Sequence, residues 1–403
     1  MCRVCGGRVH EFFDFGRQPL SDAFLRPTET AEEFFFRLAV GICESCTMTQ
    51  LVEEVARDRM FHDHYPYHSS GSVRMRRHFE ETAQSFLDTH LRGPDPFAVE
   101  IGCNDGVMLK TLSKAGVRHL GVEPSGGVAD LARGHGVRVR TEFFEEATAQ
   151  DIAATDGPAN LIYAANTMCH IPYIESVFRG VDALLSADGV FVFEDPYLGD
   201  ITTRNTFDQI YDEHFFYFTV RSVQAAANRF GFELVDVRRL PVHGGEVRYT
   251  IARPGRYPVT AAVTELAAEE AAQSISTPAG FDGLARNIRQ IREDLVTLLR
   301  RLRDEGRTVV GYGATAKSAT VTNYCGIGPD LISFVCDATP AKHGRLMPGS
   351  HIPVRPVEAL AEVEPDYTLL FAWNHAEEIM TKERAFQERG GRWICYVPNV
   401  HIV

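Results

Sequence analysis

The stretch Phe207-Asp-Gln-Ile-Tyr-Asp-Glu-His-Phe-Phe-Tyr-Phe218 places Tyr211, Asp212, Glu213 and His214 directly ahead of four consecutive aromatic residues. Ionisable groups that meet an apolar wall suit proton abstraction. An imidazole ionises nearest to neutral pH, and a neighbouring carboxylate can orient it and raise its basicity. The same composition fits a surface charge cluster ahead of a core strand, so the elements around it must decide.

A second chemical constellation opens the chain. Cys2-x-x-Cys5 and Cys43-x-x-Cys46 are two knuckles, each able to put two thiolates on one ion. Four such ligands complete a tetrahedral structural zinc site with no open position for water; the bland alternative is four free buried thiols. The residues between, about 8–42, read as short strands and loops with little core of their own, dependent on the metal.

These groups sit in a chain of 403 residues, long enough for two or three domains. A formal net charge of −13 without a long Lys/Arg tract argues against nucleic acid or an anionic membrane as the main partner. No apolar run reaches the roughly 20 residues that span a bilayer, and the N-terminus does not resemble a signal peptide. Nine cysteines, four at metal-like spacing, fit a reducing compartment. A cytoplasmic protein with a small-molecule ligand is expected, and a monomer is favoured.

Phe97–Leu109 is a hydrophobic strand running into a glycine turn and a helix, with Gly102 and Gly106 letting the backbone pass close to a ligand. A second strand, Leu120–Glu123, ends in an acid 21 residues after Gly102, placed to accept hydrogen bonds from a ribose diol. Glu100 and Asp105 make this turn acidic, which disfavours a pyrophosphate and suits the cationic S-adenosylmethionine over NAD. A further strand, Asn160–Asn166, delivers Asn166 and His170, and Gly189–Glu194 ends in Asp195. Ligands in open α/β sheets bind at carboxyl ends of strands, so His170, Glu194 and Asp195 are expected to face one cavity with the opening stretch. The aromatic, histidine-rich segment His62–His68, including Tyr65, reads as a lid or pocket wall. Glu233–Val237 and Val247–Ile251 read as closing strands around the turn His243-Gly-Gly-Glu246.

Residues 254–280 read as a linker with a helix, and Phe281–Glu305 as a long amphipathic helix. A second nucleotide-type unit follows: Gly311 and Gly313 form its turn, and Lys317 lies on the first turn of the next helix, a cation beside free N–H groups that suits a phosphate or diphosphate. Leu331–Asp337 reads as the next strand, ending in an acid 24 residues after Gly313.

The order of these motifs, Cys-x-x-Cys twice, Val-Glu-Ile-Gly-Cys-Asn-Asp-Gly, Tyr211-x-Glu213-His214, His-Gly-Gly and Gly311-Tyr-Gly-Ala-x-Ala-Lys317, resembles the sugar C-methyltransferases of deoxysugar and antibiotic biosynthesis over essentially the whole chain. The resemblance implies an α/β protein of three parts. These are a zinc-binding module over 1–60, a class I S-adenosylmethionine methyltransferase domain of Rossmann type over 61–255, and a second Rossmann-like domain over 256–403 that holds a dTDP-4-keto-6-deoxy sugar. By position, His214 is implied as the general base, Glu213 and Tyr211 as its neighbours, and His170 and Tyr65 as further groups lining the site. His243 marks a turn that meets the sugar, where relatives often carry serine in place of Glu246. Methylation at C-3 is the expectation. C-5 methylation of a related 4-keto sugar, O- or N-methylation of a small metabolite, and a non-enzymatic sensor are the alternatives.

Overall fold

The computed structural model describes residues 1–30, 33–61 and 68–403. The chain opens with a meander of β1 (Val9–Pro19), β2 (Phe35–Cys43) and β3 (Thr49–Leu51), all antiparallel. The helix Val73–Thr89 follows, its Ser72 side chain accepting from the Met75 amide as an N-cap and its Met75, Phe79, Ala83 and Phe86 buried at helical spacing.

Next come β4 (Phe97–Ile101), β5 (Arg118–Val122), β6 (Val139–Arg140), β7 (Ala159–Ala165) and β8 (Leu185–Pro196). They form a parallel sheet with the first strand central, and every residue of β4 is buried, as a sheet covered on both faces requires. β9 (Phe216–Tyr217) leaves that sheet and pairs with β3, so the aromatic run after His214 belongs to the sheet of the cysteine module. β10 (Glu233–Leu240) and β11 (Glu246–Ala252) form a hairpin that closes the large sheet on β8, giving the order β10-β11-β8-β7-β4-β5-β6.

The helix Ala261–Ala272 buries Val263, Leu266 and Glu270. Glu270 accepts from the Tyr197 hydroxyl at 3.0 Å and the Val220 amide at 2.7 Å, so this part of the expected linker is docked. The helix Pro278–Asp304 shows its signals plainly: Thr277 caps it, proline begins it, and Phe281, Leu284, Ile288, Ile291, Leu295, Leu299 and Leu302 make one buried stripe. The last sheet holds β12 (Val309–Tyr312), β13 (Val335–Asp337), β14 (Val354–Pro356), β15 (Tyr367–Leu370), β16 (Arg392–Cys395) and β17 (His401–Ile402) in the order β14-β13-β12-β15-β16-β17, with only β17 antiparallel. The expected strand Leu331–Asp337 is shorter than read. The Leu331 and Ile332 amides turn back onto the Gly328 carbonyl, leaving three residues in the ladder.

Candidate functional site

The residues 207–214 form a short turn, Phe207–Gln209, and then a bend in which the His214 amide returns to the Tyr211 carbonyl. His214 Nδ1 lies 2.8 Å from the Gln209 main-chain carbonyl, which can only accept, so this nitrogen carries the proton. Nε2 is then the basic nitrogen, and the Tyr211 hydroxyl donates to it across 2.7 Å. Sequence reasoning looked to a neighbouring carboxylate to raise the basicity of this imidazole. The structure reverses the direction: burial pushes its pKa well below the ordinary value, and His170, Lys317 and His243 add to that. Glu213 shares a hydrogen bond with Asp22, a residue of the cysteine module that no motif marked.

Around this bend lies a cavity of about 1190 Å³, larger than the roughly 300–1,000 Å³ of an ordinary single-ligand site. Its wall includes Gly102, Glu123, Asn166, His170, Tyr211, Glu213, His214, His243, Gly313, Lys317 and Asp337. Two glycine turns from two sheets thus open on one space. His170 lies with its ring 5.2 Å from that of His214; its Nε2 is buried without a hydrogen-bond partner among the described residues, and burial lowers its pKa to about 4. His243 is lowered to about 3, by burial first and then by the Lys317 charge. Both are neutral imidazoles. Tyr65 lies outside the described residues, as do His62 and His64, while His68 is on the cavity wall.

Several expected residues stand behind the wall rather than on it. Glu100 is buried within β4, its carboxyl pushed up by burial and by Asp105, Glu123 and Glu194. Asp105 takes the Ser70 amide at 3.1 Å, and Asn104 takes that of Ser69 at 2.9 Å, so the acidic turn clasps the segment ahead of the helix Val73–Thr89. Gly106 serves packing: an added Cβ would come 2.9 Å from Ala132. Gly311 likewise sits within β12 against Phe371 and Val335 and does not form the turn. Glu194 and Asp195 do not face the cavity as read. Burial would raise Glu194, but Arg248 and His78 outweigh it and hold the carboxylate at about 2. Asp195 is fully buried, which lifts its carboxyl to about 8.

The two turns are built alike. Glu123 accepts the Asn104 and Ser125 amides, each at 2.9 Å, and Asp337 accepts the Ala314 and Thr339 amides, each at 2.8 Å. Each carboxylate oxygen retains a lone pair for a ligand hydroxyl. Gly102, at φ 66°, leaves no room for a side chain, since a Cβ would lie 2.5 Å from Thr167 Oγ1. That close-approach backbone with an acid at its rim fits an adenosine moiety without phosphates, and Asn166 lies at the end of the adjacent strand. Lys317 has its Nζ buried without a hydrogen-bond partner among the described residues, which suits it to an anion.

Away from the cavity, Cys2 and Cys46 sulfurs approach to 3.5 Å, Cys5 and Cys43 to 3.4 Å, and all four lie within 4.8 Å of one another. Thiolates at about 2.3 Å from a central zinc would be separated by about 3.8 Å, so the donor set fits tetrahedral zinc. None of the nine cysteines is paired in a disulfide.

Three family models match the chain: a zinc binding domain over residues 2–61, a methyltransferase domain over 75–237 and a C-methyltransferase C-terminal domain over 241–398. The chain is 35% identical over 406 residues to the C-methyltransferase NovU of Streptomyces niveus, covering 100% of this chain and 96% of that protein. Among solved structures it is similar to the PH0226 protein from Pyrococcus horikoshii OT3, at 15% identity and TM-score 0.37 over 49% of this chain and 98% of that one. It is also similar to magnesium protoporphyrin IX methyltransferase (ChlM) from Synechocystis PCC 6803 with bound SAM, at 11% identity and TM-score 0.33 over 44% and 79%. No helix among the described residues is long and apolar enough to cross a membrane.

Proposed function

The chain belongs to the C-methyltransferase family, dependent on S-adenosylmethionine, and on that premise we propose that it methylates C-3 of a dTDP-4-keto-6-deoxy sugar in branched deoxysugar or antibiotic biosynthesis. The observation that carries the reading is the shared cavity, whose wall includes a nucleoside-type turn at Gly102 and Glu123, a turn with a buried lysine at Gly313 and Lys317, and His214. We assign the zinc module to 1–60, the S-adenosylmethionine domain to 61–255 and the nucleotide-sugar domain to 256–403, in a cytoplasmic and monomeric enzyme.

A proton next to a ketone is acidic only because the anion delocalises onto the carbonyl oxygen, so a base and an oxygen-facing donor must act together. His214 Nε2 takes the C-3 proton once the Tyr211 hydroxyl turns from it to the substrate oxygen. The Nδ1–H bond to Gln209 keeps the ring in the tautomer that leaves Nε2 free to accept. Tyr211, His170 or Tyr65 then holds the enolate oxygen, each such donor contributing on the order of 3 kcal/mol in other enzymes. When bound, S-adenosylmethionine supplies the electrophilic methyl group to the carbanion. Gly102, Glu123 and Asn166 hold the cofactor beside the sugar. Gly313, Lys317, Asp337 and His243 hold the substrate, and Phe215 and Phe216 exclude water behind the base.

Proton NMR of a panel of dTDP-4-keto-6-deoxy sugars in D2O, with and without S-adenosylmethionine, tests the reading. Loss of the C-3 signal, and a new C-methyl singlet with cofactor present, is the expected result. Exchange at C-5 alone moves the reaction to C-5. Methyl transfer without any exchange moves it to oxygen or nitrogen, and cofactor binding with no turnover on any sugar leaves a sensor.

A further inference from the structure

Lys317 is only 9% exposed, and its ammonium lies 4.9 Å from the centroid of the Trp373 indole. The same indole donates its Nε1–H to Asp208 Oδ2 across 2.6 Å, and Tyr396 gives its hydroxyl to that oxygen at 2.5 Å. Asp208 is fully buried, and its Oδ1 has no hydrogen-bond partner among the described residues. A buried ammonium and a buried carboxylate therefore share one aromatic ring without closing an ion pair. Gly244 packs on this ring too, where a Cβ would come within 2.3 Å.

Asp208 leads directly into Gln209, whose carbonyl orients His214 and whose side-chain amide donates to the His243 carbonyl at 2.9 Å. One turn, Phe207–Gln209, thus has a charge anchored in the C-terminal domain and, one residue on, the acceptor that sets the base.

We propose that Asp208 is a positioning residue that joins the anion end of the cavity to the base, so that the phosphates of the bound nucleotide speed proton removal as well as tighten binding. The proposal rests on the reading of Lys317 as a phosphate contact. Two physical effects act together. Asp208 supports the charge of Lys317 through the shared indole and pins the Gln209 carbonyl against His214. The Lys317 charge adds to the burial that depresses the basicity of His214, and an anion seated on Lys317 offsets that field. Interactions with a non-reacting part of a substrate that are realised at the reacting centre appear in the rate at saturation.

Hydrogen–deuterium exchange next to the ketone, followed by NMR on the full-length enzyme without S-adenosylmethionine, tests this. The probe is 6-deoxy-4-keto-glucose lacking any nucleotide, with thymidine diphosphate added separately. Saturating thymidine diphosphate should speed exchange about tenfold or more in the native enzyme. Asp208→Asn should lose most of that acceleration even at saturation, the share that passes through Gln209, whereas a residue serving binding alone would recover all of it. Trp373→Phe, which keeps a ring face under Lys317 but deletes the N–H to Asp208, should lose part of it and decides the matter if Asp208→Asn does not fold. Thymidine diphosphate that binds the native enzyme without speeding exchange overturns the proposal and leaves the nucleotide reading standing, as does full acceleration in the variants. Calorimetry showing no binding of thymidine diphosphate to the native enzyme overturns both.

Discussion

The Tyr211 hydroxyl caps His214 Nε2 at 2.7 Å, so the nitrogen proposed to receive the proton is already occupied by a donor that can move to the substrate oxygen. On the proposed mechanism, base and oxyanion donor are thus delivered as a pair. His214→Asn should reduce exchange next to the ketone by at least about 100-fold while cofactor affinity stays near that of the native enzyme. Tyr211→Phe should also slow exchange, by roughly 100-fold, because the enolate loses a donor. NMR exchange rates and calorimetry with S-adenosylmethionine check both; exchange at the native rate in His214→Asn removes it as the base.

A half-buried histidine held neutral gives the fold an acid limit. His170 falls from 6.5 to about 4 on folding, so the unfolded chain binds its proton first as pH drops. Its contribution is complete above pH 6.5 and is lost as pH falls towards 4, by up to roughly 3 kcal/mol. Asp195, raised to about 8, acts in the opposite sense, so the comparison must be made against a variant. Urea titrations at pH 7.5 and 4.5 should show a smaller acid loss in His170→Asn than in the native protein. Equal losses would mean that His170 is not kept neutral by the fold.

The parts of the site that could be read from the chain were those in which residue type and short spacing carry the geometry. Gly102 with Glu123, and Gly313 with Asp337, each form a turn and its clamp within one βαβ unit. What escaped reading has no residue-type signal or joins distant segments. The Gln209 partner of His214 is a main-chain carbonyl; Asp208 meets Trp373 across 165 positions; Asp22 reaches Glu213 from another module. Glu194 misled for a related reason. Its place near the end of a strand suggested the cavity, but Arg248 on the adjoining strand and His78 on the helix Val73–Thr89 capture it.

Loss of zinc should reach the catalytic bend through the shared sheet. The second cysteine pair is followed by β3, which pairs with β9, and the Leu51 amide donates to the Phe215 carbonyl at 2.8 Å, next to His214. Cys43→Ser, or chelation of the native protein, should cut exchange at least about tenfold and lower the thermal midpoint, with S-adenosylmethionine still bound by the central sheet. Metal content, measured alongside exchange, provides the check: native exchange in zinc-free protein would confine the module to a role apart from the base.

Arg248 and Glu194 lie directly opposite each other on β11 and β8, the guanidinium Nε and Nη2 at 2.8 and 2.7 Å from one carboxylate oxygen. His78 approaches the other oxygen at 2.5 Å, and Arg248 Nη2 also donates to Thr82 at 2.6 Å. This cluster bolts the helix Val73–Thr89, whose preceding residues Ser69 and Ser70 are held by the Asn104–Asp105 turn, to the sheet under the cavity. Arg248→Met leaves the Glu194 carboxylate buried without its strongest counter-charge, and truncating one partner of such a pair costs about 3–5 kcal/mol. The paired change Arg248→Met with Glu194→Leu removes the stranded charge and should recover most of that loss. Denaturant midpoints of the three proteins give the comparison. A single variant within about 1 kcal/mol of native would show that the cluster is far more solvated than its burial implies.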